Sequence, residues 1–195
     1  GGLLALGMTE IRVALRPSVA IVSTGDELVQ PDETPGLGRI RDINSYTISA
    51  LLEHAGGSPR RFGLIRDDLA LQQEAAKRGL DECDMLIFSA GSSVSSRDLT
   101  AEVIGNLGSP GILTHGISFK PGKPTIVALV DGKPVFGLPG NPVSAAVVFD
   151  MLVRPTIYWI AGCAKPPSLP SVTATLASDV PSLSGRQDVV QVRLA

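Results

Sequence analysis

His115-Gly116-Ile117-Ser118-Phe119-Lys120-Pro121-Gly122-Lys123-Pro124, then Thr125-Ile126-Val127-Ala128-Leu129-Val130, then Asp131-Gly132-Lys133-Pro134-Val135-Phe136-Gly137-Leu138-Pro139-Gly140-Asn141-Pro142-Val143-Ser144: this stretch decides the fold. Two rigid turns flank a short apolar run. In the first, Pro121 and Pro124 fix φ and remove amide donors, while Gly122 permits close backbone approach. Lys120 and Lys123 sit on that stiffened loop with their ammonium groups able to converge on one anion. Asp131-Gly132 signals a tight hairpin between residues 125–130 and 133–136. The second turn, from Gly137 to Pro142, leads into an apolar segment, with Asn141 as helix cap and Pro142 at the first helical position. A glycine-rich strand-to-helix junction with free amides is an anion site. Taken alone, the same residues also describe two well-built turns.

Outward from there, strand and helix signals alternate. Residues 18–23 form a β-branched run that ends in the polar loop Thr24-Gly25-Asp26-Glu27-Leu28. Residues 40–43 are extended, and Asn44 is placed to cap a helix over 45–55, in which Ile48, Leu51, Leu52 and Ala55 recur at helical spacing. Residues 60–65 read as a strand, and Asp67-Asp68 opens a helix to residue 79. Residues 85–89 are the clearest buried strand and run into Ala90-Gly91-Ser92-Ser93-Val94-Ser95-Ser96-Arg97-Asp98. Asp98 is expected to cap a helix over 99–107, residues 112–119 to form a strand, and residues 143–161 to form a core helix carrying Asp150, Arg154 and Pro155. This alternation predicts an α/β fold with a mostly parallel sheet and helices on both faces. Ligands of such sheets bind outside the carboxyl ends of the strands, and the loops 24–28, 90–98 and 137–144 all belong there.

Composition agrees with a globular chain: 195 residues, 44% apolar and 18% charged. The net charge of −2 offers no general positive field for nucleic acid, so any anion must be bound locally. The two cysteines, Cys83 and Cys163, have neither metal spacing nor a disulfide framework and read as buried thiols of a reducing compartment. Residues 1–7 lack a basic start and a cleavage pattern, and the 143–161 segment carries charges, so the expectation is a cytoplasmic protein with no membrane span. The expected organisation is a leading linker segment, 1–15, an α/β domain, 16–163, and a proline-rich linker with partial β structure, 164–195. Lone strands are expected there at 172–177 and 189–194.

Chemistry follows from residue types. Lys120, Lys123 and loop amides offer positive charge to a phosphate or oxyanion. Asp26 and Asp98 are the carboxylates that suit hard Mg²⁺ together with substrate phosphates. Ser93 and Ser144 can donate to anion oxygens. Each has a structural alternative: Asp98 as a helix cap, Asp26 and Glu27 as a solvated turn, Asn44 as cap and site neighbour together. His54 reads as structural or exposed, and His115 lies beside the lysine loop.

Three motifs in register carry a resemblance: Ser23-Thr24-Gly25-Asp26-Glu27-Leu28, Lys120-Pro121-Gly122-Lys123-Pro124 and Gly137-Leu138-Pro139-Gly140-Asn141-Pro142-Val143-Ser144. Residues 18–162 resemble the molybdopterin molybdenumtransferase family (MoeA, and the plant and animal E domains including gephyrin's). The resemblance implies a three-layer α/β sandwich shared with MogA-like adenylyltransferases, followed by the start of a small C-terminal β domain. It implies insertion of molybdate into adenylylated molybdopterin with release of AMP, using Mg²⁺, in a homodimer of the longer protein that can contact a MogA-like partner. Carried onto this chain, the catalytic set is Asp26, Asp98 and Lys123, with Asp26 and Asp98 on the metal. The substrate set is Thr24, Gly25, Glu27, Asn44, Gly91, Ser92, Ser93, Lys120, Pro121, Gly122, Pro139, Gly140, Asn141, Pro142 and Ser144. One motif departs: the family's loop reads Gly-Gly-Val-Ser-Val-Gly-Asp-x-Asp, and here Ala90, Ser92, Ser95 and Ser96 replace Gly, Val, Gly and the acid. An adenylyltransferase of the same fold and a non-catalytic pterin-binding domain are the competing expectations.

Overall fold

In Val19-Ala20-Ile21-Val22, successive side chains leave opposite faces of an extended strand, and all four are apolar. Such a strand needs cover on both sides. The computed structural model describes residues 1–90, 94–165, 167 and 170–193, with 90 and 94–97 as backbone only, and places this strand inside a six-stranded sheet. In chain order the elements are α1 (Gly2–Ala5), β1 (Ser18–Thr24), β2 (Leu28–Val29), β3 (Ile40–Arg41), α2 (Asn44–His54), β4 (Ser58–Ile65), α3 (Leu69–Glu82) and β5 (Met85–Ala90). There follow α4 (Val94–Gly105), β6 (Pro110–His115), β7 (Phe119–Lys120), β8 (Ile126–Val130), β9 (Lys133–Leu138), α5 (Pro142–Val148), a π-helical turn (Phe149–Val153), α6 (Arg154–Ile160) and β10 (Gln187–Asp188).

The sheet order is β4-β1-β5-β9-β8-β6. The first four strands run parallel, β8 is antiparallel to β9, and β6 is antiparallel to β8. Val19, Ile21, Met85, Ile87, Phe136 and Leu138 face one way, under Ile48 and Leu52 of α2 and Ala145, Val148, Val153 and Ile157 of the closing helix. Ala20, Val22, Leu86, Phe88 and Val135 face the other way, against Ala75, Ala76 and Leu80 of α3 and Val103 and Ile104 of α4. Each large side chain buried this way contributes about 1.5–3 kcal/mol. The result is the expected three-layer α/β sandwich on a mixed, mostly parallel sheet.

Register then fixes where the loops open. Thr24 lies beside Ala90 and Ser89 beside Leu138, so β1, β5 and β9 end on one edge. Ile126 lies beside Gly137, so antiparallel β8 begins on that same edge and brings the lysine turn with it. Asp131 (φ 49°) and Gly132 (φ 83°) form the expected tight hairpin between β8 and β9.

Several local expectations are corrected. Asn44 is the first residue of α2, not its cap; Asp42 accepts from the Ser45 N–H at 3.1 Å and serves the helix end instead. Gly79 does not stop α3, which runs to Glu82: an added Cβ would meet Ala20 Cβ at 3.0 Å, so this glycine exists for close packing of helix on sheet. α4 spans Val94–Gly105, which puts Asp98 inside the helix and not at its cap. The 112–119 strand is interrupted at Gly116, whose φ of 97° turns the chain. Residues 172–177 form no strand and lie exposed, having no sheet to join. In the 189–194 segment, residues 189–193 are not in a strand either; β10 stands two residues earlier and pairs with β7 in parallel.

The segment from Pro142 to Ile160 is continuous helix, long and apolar enough by length and composition to cross a membrane. Its inner face is core, with Ala145, Val148, Phe149, Val153 and Ile157 buried. The π-helical turn precedes Pro155, which lacks an N–H and crowds the carbonyl four residues back, so the ladder widens there.

Candidate functional site at the carboxyl edge of the sheet

The loop after β1 is shaped by one glycine. Gly25 has φ 146° and donates its N–H to Ile65 O, while Leu28 N–H closes the turn on Gly25 O at 3.2 Å. A Cβ at Gly25 would come 2.6 Å from Glu27 Oε2, so only glycine lets the Glu27 carboxylate fold back over the turn. Thr24 is fully buried and its hydroxyl lacks a hydrogen-bond partner, as does that of Ser23. Asp26 points outward and accepts from Asp67 N–H at 3.3 Å. Asp26, Asp67 and Asp68 line a cleft of about 490 Å³ with Arg39 and Arg66 on its walls.

The loop after β9 is the built helix start that the sequence suggests. Asn141 accepts from Ser144 N–H at 3.2 Å and from the Ser144 hydroxyl at 3.3 Å, with Pro142 in the first helical turn. The Ser144 hydroxyl, expected from the sequence to donate to an anion, is here engaged with its own cap. Across the edge, Asn44 Nδ2 donates to Gly140 O at 2.9 Å and ties α2 to this loop. Between them lies a cleft of about 170 Å³, with Glu27, Asp42, Asn44, Ser89, Gly140 and Pro142 among its walls.

The lysine turn is seated against the helix that this loop begins. Gly122 has φ 123°, and an added Cβ would lie 2.6 Å from Val148 Cγ2. Thr125 donates both its N–H (3.2 Å) and its hydroxyl (2.6 Å) to Gly122 O, and Ile117 N–H donates to Lys123 O at 2.9 Å. Lys120 and Lys123 both remain exposed, on a backbone held by Pro121 and Pro124. The tail crosses this turn: Gln187 N–H donates to Ser118 O and Val189 N–H to Lys120 O, each at 2.8 Å. Asp188 accepts from the Ser182 hydroxyl and pairs with Arg186 at 3.0 Å. The Ser182 hydrogen bond, with Arg186 and the Lys120 charge adding to it, holds this carboxyl below the usual aspartate range.

Thus Thr24, Gly25, Asp26, Glu27, Asn44, Lys120 to Lys123 and Pro139 to Pro142 come to one edge of the sheet. Gly91, Ser92 and Ser93 lie outside the described residues. Asp98 is exposed on α4, and among the described residues no three acidic, histidine or cysteine side chains gather closely enough to hold a metal. His54 and His115 are both exposed. Sequence reasoning missed Ser89, Asp42, Asp67 and the tail pair Arg186 and Asp188. Asp42 stands two residues before Asn44 at the helix entry, a visible signal; the tail contact has no local signature.

The family described as "Probable molybdopterin binding domain" matches residues 20–159. The molybdopterin molybdenumtransferase of a Nostoc species is 36% identical over 80% of this chain and 36% of its own length. Molybdopterin molybdenumtransferase 1 of Mycobacterium tuberculosis is 30% identical over 100% of this chain and 45% of its own length. The crystal structure of the molybdopterin biosynthesis protein MoeA of Pyrococcus horikoshii superposes with a TM-score of 0.73 at 28% identity, covering 96% of this chain and 44% of that one. The chain thus spans less than half the length of these relatives. Match over most of its length, together with the shared architecture, places this chain in the molybdopterin-binding domain family, on the MoeA-like side of it.

Proposed function

We propose that this chain is the substrate-binding α/β domain of a molybdopterin molybdenumtransferase, acting in insertion of molybdate into adenylylated molybdopterin with release of AMP. The observation that carries the reading is the convergence of the lysine turn and the loops after β1 and β9 on one sheet edge. A substrate with a phosphoanhydride and an oxyanion needs fixed positive charge. Lys120 and Lys123 provide it on a backbone that loses little freedom when the anion arrives. Asn44 and Gly140 line a cleft at the same edge.

Mg²⁺ would take Asp26 as its carboxylate ligand from this chain, on the wall of a cleft that Asp67, Asp68, Arg39 and Arg66 share. With so few carboxylates at hand, substrate phosphates complete the ligand set. When bound, it neutralises charge on the anhydride. Glu27, bent back over Gly25, and Asp26 set the acidic side of the edge, opposite the lysines. The longer protein acts as a homodimer in this reading.

Ser96, in place of an acid in the 90–98 loop, favours one competing reading, a domain that binds pterin without turnover. Incubation of the protein with molybdopterin-AMP and molybdate separates them. AMP release with formation of the molybdenum cofactor supports the transferase. Binding without AMP release supports the non-catalytic domain.

A further inference from the structure

We infer, on the basis of that reading, that Gln72 is a positioning residue for the site: from beneath the loop between β4 and α3 it fixes Arg66 and Asp67, and through Asp67 the Asp26 carboxylate. Gln72 stands near the start of α3 and is fully buried; the other buried residues of this helix are Ala75, Ala76, Gly79 and Leu80. A side-chain amide among such neighbours opposes folding unless its polar atoms are paired. Its Nε2 donates to Arg66 O at 3.2 Å and to Asp67 Oδ1 at 3.4 Å. Both partners can only accept, which settles the orientation of the amide and uses both its hydrogens. The Oε1 is left buried without a hydrogen-bond partner.

Folding alone does not call for this glutamine. Arg66 O already accepts from Asp68 N–H at 2.7 Å, and Asp68 caps α3 by accepting from Leu71 N–H at 2.9 Å. Asp67 is half-buried on the wall of the cleft, so water can reach its carboxylate. A methionine or leucine would fill much the same space and bring no unpaired oxygen. What the glutamine adds is a fixed loop. The turn after β1 leans on the 65–67 segment at two points: Gly25 N–H donates to Ile65 O at 3.2 Å, and Asp26 Oδ1 accepts from Asp67 N–H at 3.3 Å. Ile65 is paired with Thr24 in the sheet, so the first point is held by the strands. The second lies past the end of β4, where Gln72 grips both residues. Asp26 is exposed, and its carboxylate is free to change rotamer unless that contact holds it.

Gln72→Met keeps the unbranched shape and removes both donors, and Gln72→Leu repeats the change with a different apolar side chain. Both variants are expected to match or exceed the urea midpoint of the parent protein. Hydrogen exchange followed by NMR should nonetheless show the Asp67 amide exchanging about tenfold faster, with the Ala76 amide of the same helix no faster than before. With molybdopterin-AMP and molybdate, kcat for AMP release should fall about tenfold, while KM for molybdate, which meets the lysine turn, stays unchanged. A packing role alone would move both amides together and spare kcat. An Asp67 amide that exchanges as in the parent protein, equal acceleration of both amides, or an unchanged kcat overturns the inference. A urea midpoint lowered in both variants overturns it as well, since the glutamine would then serve folding. Absence of AMP release from the parent protein contradicts the transferase reading instead, and the exchange comparison then decides by itself whether Gln72 fixes the loop.

Discussion

A single methyl group reports how firmly the lysine turn is seated. Gly122→Ala combines a left-handed φ of 123° with a Cβ placed 2.6 Å from the stiff, fully buried Val148. It should destabilise the fold by about 1–3 kcal/mol in urea unfolding. Gly36→Ala, with open space around it, should be close to neutral; equal effects at the two glycines would show that the turn is not packed on α5. Lys133 looks from sequence like a surface lysine leading into the second turn. In the fold its ammonium donates to Leu80 O, tying β9 to the end of α3. Lys133→Ala is therefore expected to lower stability while leaving anion binding alone. Lys77, exposed on α3, is the neutral comparison.

At the scale of elements, strand starts are tied as deliberately as strand ends. Asp84, just before β5, accepts from Ser18 N–H at 2.8 Å and from the Ser18 hydroxyl at 2.7 Å, joining the amino ends of β1 and β5. The hydroxyl first, and the amide second, hold its carboxyl below the ordinary aspartate value. A carboxyl depressed in the folded state stabilises above its unfolded pKa of about 3.9, and that contribution fades as pH falls through the lower folded value. Wild type should thus exceed Asp84→Asn in thermal stability at neutral pH, with the gap closing in acid below about pH 4. A gap independent of pH over that range would remove the carboxylate from the account. Elements whose cause is local were legible in the sequence. β1 and β5 are uninterrupted apolar runs, and the Asp131-Gly132 hairpin and the Asn141-Pro142 helix start have residue signatures of their own. Where two residues satisfy the same rule, tertiary contacts chose: Asp42 took the start of α2 and released Asn44 to reach Gly140. Gly79 reads as a stop until the sheet beneath it is known. The docking of Gln187 and Asp188 on β7 depends on a pairing about 70 residues distant in sequence, which no periodicity announces.

For the whole molecule, both helical layers rest on the same strands, through alternate residues of β1, β5 and β9. Neither layer can separate without exposing the other's support, so unfolding of the α/β core should be a single transition. Phe149→Ala on one face and Phe88→Ala on the other should each cost about 3–5 kcal/mol and shift one common urea midpoint. Two separate transitions, each sensitive to one variant, would contradict a shared sheet. The same sheet gathers the functional loops, since four parallel strands and one antiparallel return deliver the acidic loop, the Asn44 wall and both lysines to one edge. That gathering is tested most directly by calorimetric titration of molybdate into the protein and its Lys123→Ala, Lys120→Ala and Lys77→Ala variants. Each charge-assisted hydrogen bond to an oxyanion contributes roughly 1.5–3 kcal/mol. Lys123→Ala should therefore bind about ten- to a hundredfold more weakly. Lys120, whose charge is partly shared with Asp188, should lose less, and Lys77→Ala should match the parent protein. Equal affinity in the Lys123 and Lys77 variants would contradict the account.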